Sequence, residues 1–308
     1  MSRSNALTLR SRFRGILAVT GVIALLGAVT APAAFAAGDT HFVDHARGRT
    51  AVPSHPQRVV VLEPVQLDTA IALGIVPVGA PTLNATTGIP KYLGEQAADI
   101  TVVGTFMELK LETIAALRPD LIIGTETRHS AYYDQLSAIA PTVFMVTQTA
   151  PWRDNLQFTA SALGATTGAD QVLADYDKRC EDIKQRYDVE GKTAQFIRPR
   201  DTVLSIYAPS SFAGSTLECV GFRIPDRNWD DAISSDISPE LVLDATADYV
   251  FVAAADPTDP NAVPPSIRAN AASFPRLFAA DSASWISGVG AVGGMAVLDD
   301  IEKALSAK

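Results

Sequence analysis

The sequence predicts an α/β protein: two lobes with mainly parallel sheets joined by one long helix. Three observations carry that prediction. From Arg58 onward, short apolar runs alternate with helical segments. One amphipathic stretch, Ala169–Tyr187, outlasts every neighbour, with apolar residues recurring at spacings of three and four. Beyond it the strand–helix alternation resumes. The roughly 270 residues that follow the leader exceed one typical core, which favours two lobes. The chain thus divides into a signal peptide (1–36), an exposed lead-in (37–57), an N-terminal lobe (58–165), an interlobe helix (166–188) and a C-terminal lobe (189–308).

The leader is read from order and charge. Arg3, Arg10, Arg12 and Arg14 precede an apolar run from Gly15 to Thr30, and Ala34-Phe35-Ala36 gives a small-x-small cleavage pattern. The run is short of the ~20 residues a spanning helix needs. No Cys stands just after it, so the sequence offers no lipid-attachment site there. Its removal leaves 21 basic residues against 34 acidic ones, a formal charge of −13. Such a surface disfavours nucleic acid and anionic lipid as partners and suits a freely diffusing monomer. Residues 37–57 are polar, with Gly, Pro and His, and are expected to be exposed.

In the N-terminal lobe, Val59–Leu62 reads as a buried strand, followed by a helical Leu67–Leu73 that stops at Gly74. Val76–Val78 and Thr101–Val103 follow; Leu111–Leu117 is helical up to Arg118-Pro119-Asp120, and Leu121–Gly124 is a buried strand. Tyr132–Ile139 reads as helix, Val143–Val146 as strand and Trp152–Leu163 as helix to Gly164. The 19 residues of Ala169–Tyr187 make a helix of about 28 Å, the height of a lobe. After the polar break at 189–192 come Thr202–Tyr207, Phe212–Val220, Pro239–Leu243, Tyr249–Ala253 and a last helix, Ala296–Leu305.

A weak internal repeat fits two lobes of one plan. Glu112 and Asp120 stand eight residues apart around a helix, with a strand after the Asp, and Glu240 and Asp248 repeat that arrangement. Cys180 and Cys219 are bound for an oxidising compartment, where a disulfide between them can persist. Cys180 also falls on the packed face of the long helix, as a buried thiol would.

At this point the sequence resembles the periplasmic-binding-protein superfamily with a rigid interlobe helix, the class that carries ferric siderophores, haem and cobalamin. The resemblance runs over residues 55–306. Its carriers, in order, are Arg58–Leu62, Ala72–Gly79, Val103-Gly104, Leu117–Ile123, Ile139–Val143 and Ser211–Gly214. It implies an exported receptor that captures a ferric siderophore and delivers it to an ABC-transporter permease, with no cofactor and no catalysis of its own. In open α/β sheets ligands sit beyond the carboxyl ends of strands, so two facing lobes would place those ends around one cleft.

The resemblance also implies roles for particular residues. Arg128 lies in the loop after the strand Leu121–Gly124, where family members place a ligand-contacting Arg; its alternative partner is Glu126. Arg198 resembles a second such Arg. Trp229 sits where hydroxamate receptors carry an aromatic wall, and Trp285 is a further aromatic candidate. Tyr207, Glu63 and Phe106 follow expected strands and so could line the cleft. Glu112 and Glu240 match the paired glutamates that dock a permease's arginines, one per lobe, and each also suits the first turn of a helix.

His41, His45, His55 and His129 make no metal site, since three fall in the lead-in. Among other functions, haem is the nearest rival and would want an axial His or Tyr, with His129, Tyr132 or Tyr133 available; cobalamin is another. A secreted hydrolase is the rival of a different class, but the sequence holds no G-x-S-x-G, P-loop or H-E-x-x-H.

Overall fold

Two five-stranded sheets organise the molecule, one formed before and one after a single long helix. The computed structural model describes residues 39–84 and 88–307. The signal peptide expected over 1–36 lies outside the described residues.

The chain begins with a hairpin, β1 (Thr40–His45) and β2 (Gly48–Pro53). The first sheet uses β3 (Val59–Val61), β4 (Gly79–Thr82), β5 (Thr101–Thr105), β6 (Leu121–Thr125) and β7 (Thr142–Met145) in the order β5-β4-β3-β6-β7, all parallel. Helices α1 (Pro64–Ala72), α2 (Leu111–Ala116), α3 (Glu126–His129), α4 (Tyr133–Ser137) and α5 (Trp152–Ala162) connect and cover these strands. Side chains on the central strands alternate between two buried clusters: Val59, Val61, Leu121 and Ile123 on one face, Val60, Leu62 and Ile122 on the other. A parallel sheet is apolar on both faces because helices cover both.

Helix α6 (Thr166–Arg186) spans about 32 Å at 1.5 Å per residue. It buries Ala169, Tyr176, Cys180 and Ile183 on one stripe and packs against α5, α7 (Phe212–Cys219) and α9 (Ala291–Ser306). Gly294 of α9 lets the two helices close, since a Cβ there would meet the Tyr176 ring at 2.6 Å. The Tyr176 hydroxyl donates to Thr216 Oγ1 at 2.9 Å. Cys180 and Cys219 form a disulfide between α6 and the end of α7, with Cα atoms 5.5 Å apart.

The second sheet runs β10-β9-β8-β11-β12: β8 (Ala194–Pro199), β9 (Leu204–Tyr207), β10 (Ser234–Ile237), β11 (Tyr249–Ala254) and β12 (Leu277–Asp281). Strands β8, β11 and β12 are parallel, whereas β9 pairs antiparallel with both β8 and β10. The short helix α8 (Pro265–Arg268) lies between β11 and β12 in the chain.

Several elements differ from expectation. The lead-in is not simply exposed: Val43 and Val52 of the hairpin are buried, and Ala46 N–H donates to Phe144 O of β7 at 2.9 Å. His45 accepts from Phe144 N–H, and His41 bonds Ser161 O. Strands β8, β10 and β12 lie outside the strands that the sequence pattern predicts; β10 reads Ser-Ser-Asp-Ile, with no apolar run to announce it. Pro239–Ala245 is a kinked 3₁₀ segment, and the last helix starts five residues earlier than the apolar pattern suggests.

The repeat has a structural counterpart. Asp120, before β6, accepts from the N–H groups of Gln57 and Arg58 at the start of β3. Asp248, before β11, accepts from Thr193 N–H and its hydroxyl at the start of β8. In each sheet the carboxylate ties together the entries of two adjacent parallel strands.

Candidate ligand cleft

A cleft of about 310 Å³ opens between the two sheets, within the range of small-molecule sites (~300–1,000 Å³). The first sheet contributes residues just past its strands: Glu63 after β3, Leu83 after β4, Phe106 after β5, Arg128 after β6 and Gln148, Thr149 and Trp152 after β7. The second contributes Arg198 and Arg200 from the end of β8, Tyr207 from the end of β9, Ser211 and Phe212 from the start of α7, and Trp285 beyond β12.

The electrostatics of this cleft run against those of the whole protein. Glu63 is the one carboxylate among its described lining residues, against Arg128, Arg198 and Arg200. Neither Arg198 nor Arg200 has an ion-pair partner among the described residues. Arg198 is half-buried at the end of a strand, so its charge stands in a partly desolvated wall.

Arg128 does not pair with Glu126, which is taken by Arg47 of the hairpin at 2.6 Å. Its Nη1 lies 2.5 Å from Glu63 Oε2, and its guanidinium stands 4.6 Å over the Phe106 ring. Arg128 is 25% exposed on its side chain, whereas Glu63 is 1% exposed. Burial pushes the Glu63 carboxyl up to about 7, with Arg128 and the Thr125 hydroxyl pulling the other way. Glu63 Oε1 and Thr125 Oγ1 are both buried without a hydrogen bond of good geometry, although the hydroxyl is near enough to temper the carboxyl's charge.

His129 fixes this corner. Its Nδ1 accepts from Thr125 N–H at 3.0 Å, which leaves Nε2 to donate to Phe106 O at 2.9 Å. Burial, the larger cause, and Arg128 hold the ring neutral, with its pKa down to about 4. Both ring nitrogens are therefore occupied in joining β6 to the Phe106 loop, and His129 presents neither to an incoming haem. That loop needs Gly104: at φ +112° a Cβ would meet Glu108 O at 2.2 Å.

The aromatic candidates divide. Tyr207 lines the cleft and packs edge-on against Phe196. Trp285, 1% exposed, forms the floor, stacked on Phe196 and Phe251 with its Nε1 donating to Asp300. Trp229 is not brought to the cleft; it is half-buried against two core clusters, with Arg227 5.9 Å from its ring. Trp152, passed over in the sequence, takes a wall position between Tyr176 and Phe212. Its place seven residues past β7, at the first turn of α5, was the available signal. Glu112 and Glu240 are exposed and lie outside the cleft lining.

Comparison with known proteins places the chain among relatives of one family. The family model described as periplasmic binding protein matches residues 59–265. The probable siderophore-binding lipoprotein YfiY of Bacillus subtilis (strain 168) is 37% identical over 223 residues, covering 69% of this chain and 68% of its own. The Fe(3+)-citrate-binding protein YfmC of the same organism is 32% identical over 220 residues, covering 70% and 69%. Among solved structures, Staphylococcus aureus SirA complexed with staphyloferrin B superposes with a TM-score of 0.73 at 25% identity, covering 87% of this chain and 99% of that one.

Proposed function

The chain belongs to the periplasmic binding protein family, and from that premise we propose that it is an exported receptor that captures an anionic ferric siderophore and delivers it to an ABC-transporter permease. One observation carries the choice of ligand: an acidic protein gathers Arg128, Arg198 and Arg200 in one cleft and supplies them a single, buried carboxylate. Guanidinium groups donate to several chelate oxygens at once and do not compete for the iron, so a carboxylate- or catecholate-bearing chelate is the matching partner. One protein similar to this chain is named for binding Fe(3+)-citrate and another was solved complexed with staphyloferrin B, both oxygen-rich anions. With Trp229 away from the cleft, the argument for a hydroxamate loses its main residue.

Recognition is expected to be largely preformed, because α6 packs against helices from both sides of the chain and resists a wide hinge motion. Glu112 and Glu240 are proposed as the docking points for the permease. Both are exposed in the first turn of a short helical segment, one with each sheet, and Leu241 and Leu243 stand exposed beside the second. Among the described residues no helix is long and apolar enough to cross a membrane.

Intrinsic fluorescence tests the proposal, since Trp152 and Trp285 both line the cleft. Titration with ferric citrate, ferric staphyloferrin B, their iron-free forms, haem and cobalamin is expected to give saturable quenching by at least one ferric chelate. Tight binding of haem or cobalamin with no response to any ferric siderophore overturns it.

A further inference from the structure

Glu63 sits badly for an ordinary structural carboxylate. It is buried, one oxygen faces the Arg128 guanidinium at 2.5 Å, and the other has no well-placed partner. A carboxylate in such a place persists as an anion only while its counter-ion stays. That counter-ion is the one cleft arginine with a carboxylate partner, and it is the group that an anionic chelate would engage.

We propose that Glu63 is the exchangeable counter-ion of the cleft: when an anionic chelate takes the Arg128 guanidinium, Glu63 takes up one proton, so ligand binding and proton uptake are coupled. The proposal deepens the anionic-siderophore reading and rests on it. The balance is simple. The chelate's oxygens accept the hydrogen bonds of Arg128, a proton from solvent binds Glu63, and the pocket avoids a buried anion beside an anionic ligand. Burial already brings the carboxyl close to neutral pH, so a modest loss of Arg128's field is enough to protonate it.

The neighbours allow both states. The Thr125 hydroxyl can donate to the carboxylate or accept from the acid. From α1, the Gln66 amide is spent on Leu62 N–H and Gly124 O, and Asp68 is bonded to α9 instead. His129 next to Arg128 is neutral and fully bonded. Across the cleft stand Arg198 and Arg200, which remain for the chelate in either state. The sign follows. Above about pH 7 the free protein holds Glu63 ionised while the complex holds it protonated, so affinity falls as pH rises. Below that range both states are protonated and the coupling vanishes.

Two measurements test this. In the ligand-free protein, the infrared band of the protonated carboxyl, identified by its loss in Glu63→Gln, should titrate near neutrality and move up by at least one pH unit in Arg128→Ala. An unmoved midpoint overturns the coupling whatever the ligand proves to be. With ferric citrate and ferric staphyloferrin B at pH 8, calorimetry in two buffers of different ionisation heat should show the wild type taking up about half to one proton more than Glu63→Gln. The chelate's own titration is common to both proteins and cancels. Equal uptake in the two proteins overturns the proposal. If neither chelate binds, the anionic-siderophore reading fails, and the infrared result alone decides whether Arg128 governs Glu63.

Discussion

Glu63, the residue before α1, and Asp68, in the middle of that helix, stand five residues apart, both almost wholly enclosed, and burial pushes both carboxyls up to about 7. They differ in what meets them. Asp68 Oδ1 accepts from Val292 N–H at 2.9 Å and Oδ2 from Gly293 N–H at 2.8 Å, with the Tyr92 hydroxyl also donating. It therefore caps α9 from a helix more than 220 residues earlier in the chain, on the dipole's positive end. Gly290 makes room for it: a Cβ there would lie 2.2 Å from Asp68 Oδ1. Glu63 has one ion-pair partner, Arg128 at the edge of the cleft, and an oxygen without a well-placed hydrogen bond. Equal burial thus produces a fixed strut in one case and an exchangeable counter-ion in the other. The partner, rather than the burial, decides which.

The comparison breaks most visibly at the strut. Asp68→Ala leaves two helix N–H groups and a tyrosine hydroxyl buried without an acceptor, and is expected to cost ~3–5 kcal/mol in denaturant unfolding. Glu63→Gln keeps a neutral group in an unsatisfied site and should cost far less. If Glu63→Gln destabilises as much as Asp68→Ala, the distinction between strut and counter-ion is lost.

A second test is made on affinity. Arg128→Ala and Arg198→Ala should each weaken the ferric chelate by ~1.5–3 kcal/mol, the worth of charged hydrogen bonds. An unchanged Kd in a folded Arg198→Ala protein would take that side chain out of the site. The stability–pH profile gives a smaller effect. A carboxyl whose folded pKa is raised binds more protons in the native than in the unfolded state between about pH 4 and 7. Stability contributed by these two groups is therefore present at the acid end of that window and falls as pH rises through it. The slope is at most ~1.4 kcal/mol per pH unit for each, and Glu63→Gln should remove its share. The smallest binding effect belongs to Glu112→Ala/Glu240→Ala. Chelate affinity should stay within about 0.5 kcal/mol, as for surface changes generally, while uptake through the permease falls. Normal uptake with a lowered melting temperature would leave both glutamates a helix-end role only.

The sequence shows where such features can be read and where they cannot. The parallel sheet was legible because Val59–Leu62 and Leu121–Ile123 are buried on both faces and so run apolar without interruption. Helix α6 declared itself by length, and Arg128, Tyr207 and Phe106 by following expected strands, whereas Arg198, inside the unexpected β8, came only from the family resemblance. The hairpin at 40–53 and β10 did not, since the two strands of a separate hairpin and a polar edge strand lack that pattern. Trp229 was placed by likeness of its loop, and local likeness does not say which way a ring packs. The partners of Glu63 and Asp68 were beyond reach for a different reason. Each contact joins residues 65 or more than 220 positions apart, and only the closed fold brings them together.

The most direct measurement is a pair of binding isotherms, ferric staphyloferrin B against a neutral ferric trihydroxamate, at low and high ionic strength. Three cleft arginines facing one buried carboxylate predict that the anionic chelate binds at least tenfold more tightly at low salt and loses part of that advantage as salt screens the exposed charges. A neutral hydroxamate that binds equally well or better, with no dependence on salt, would contradict the account at its centre.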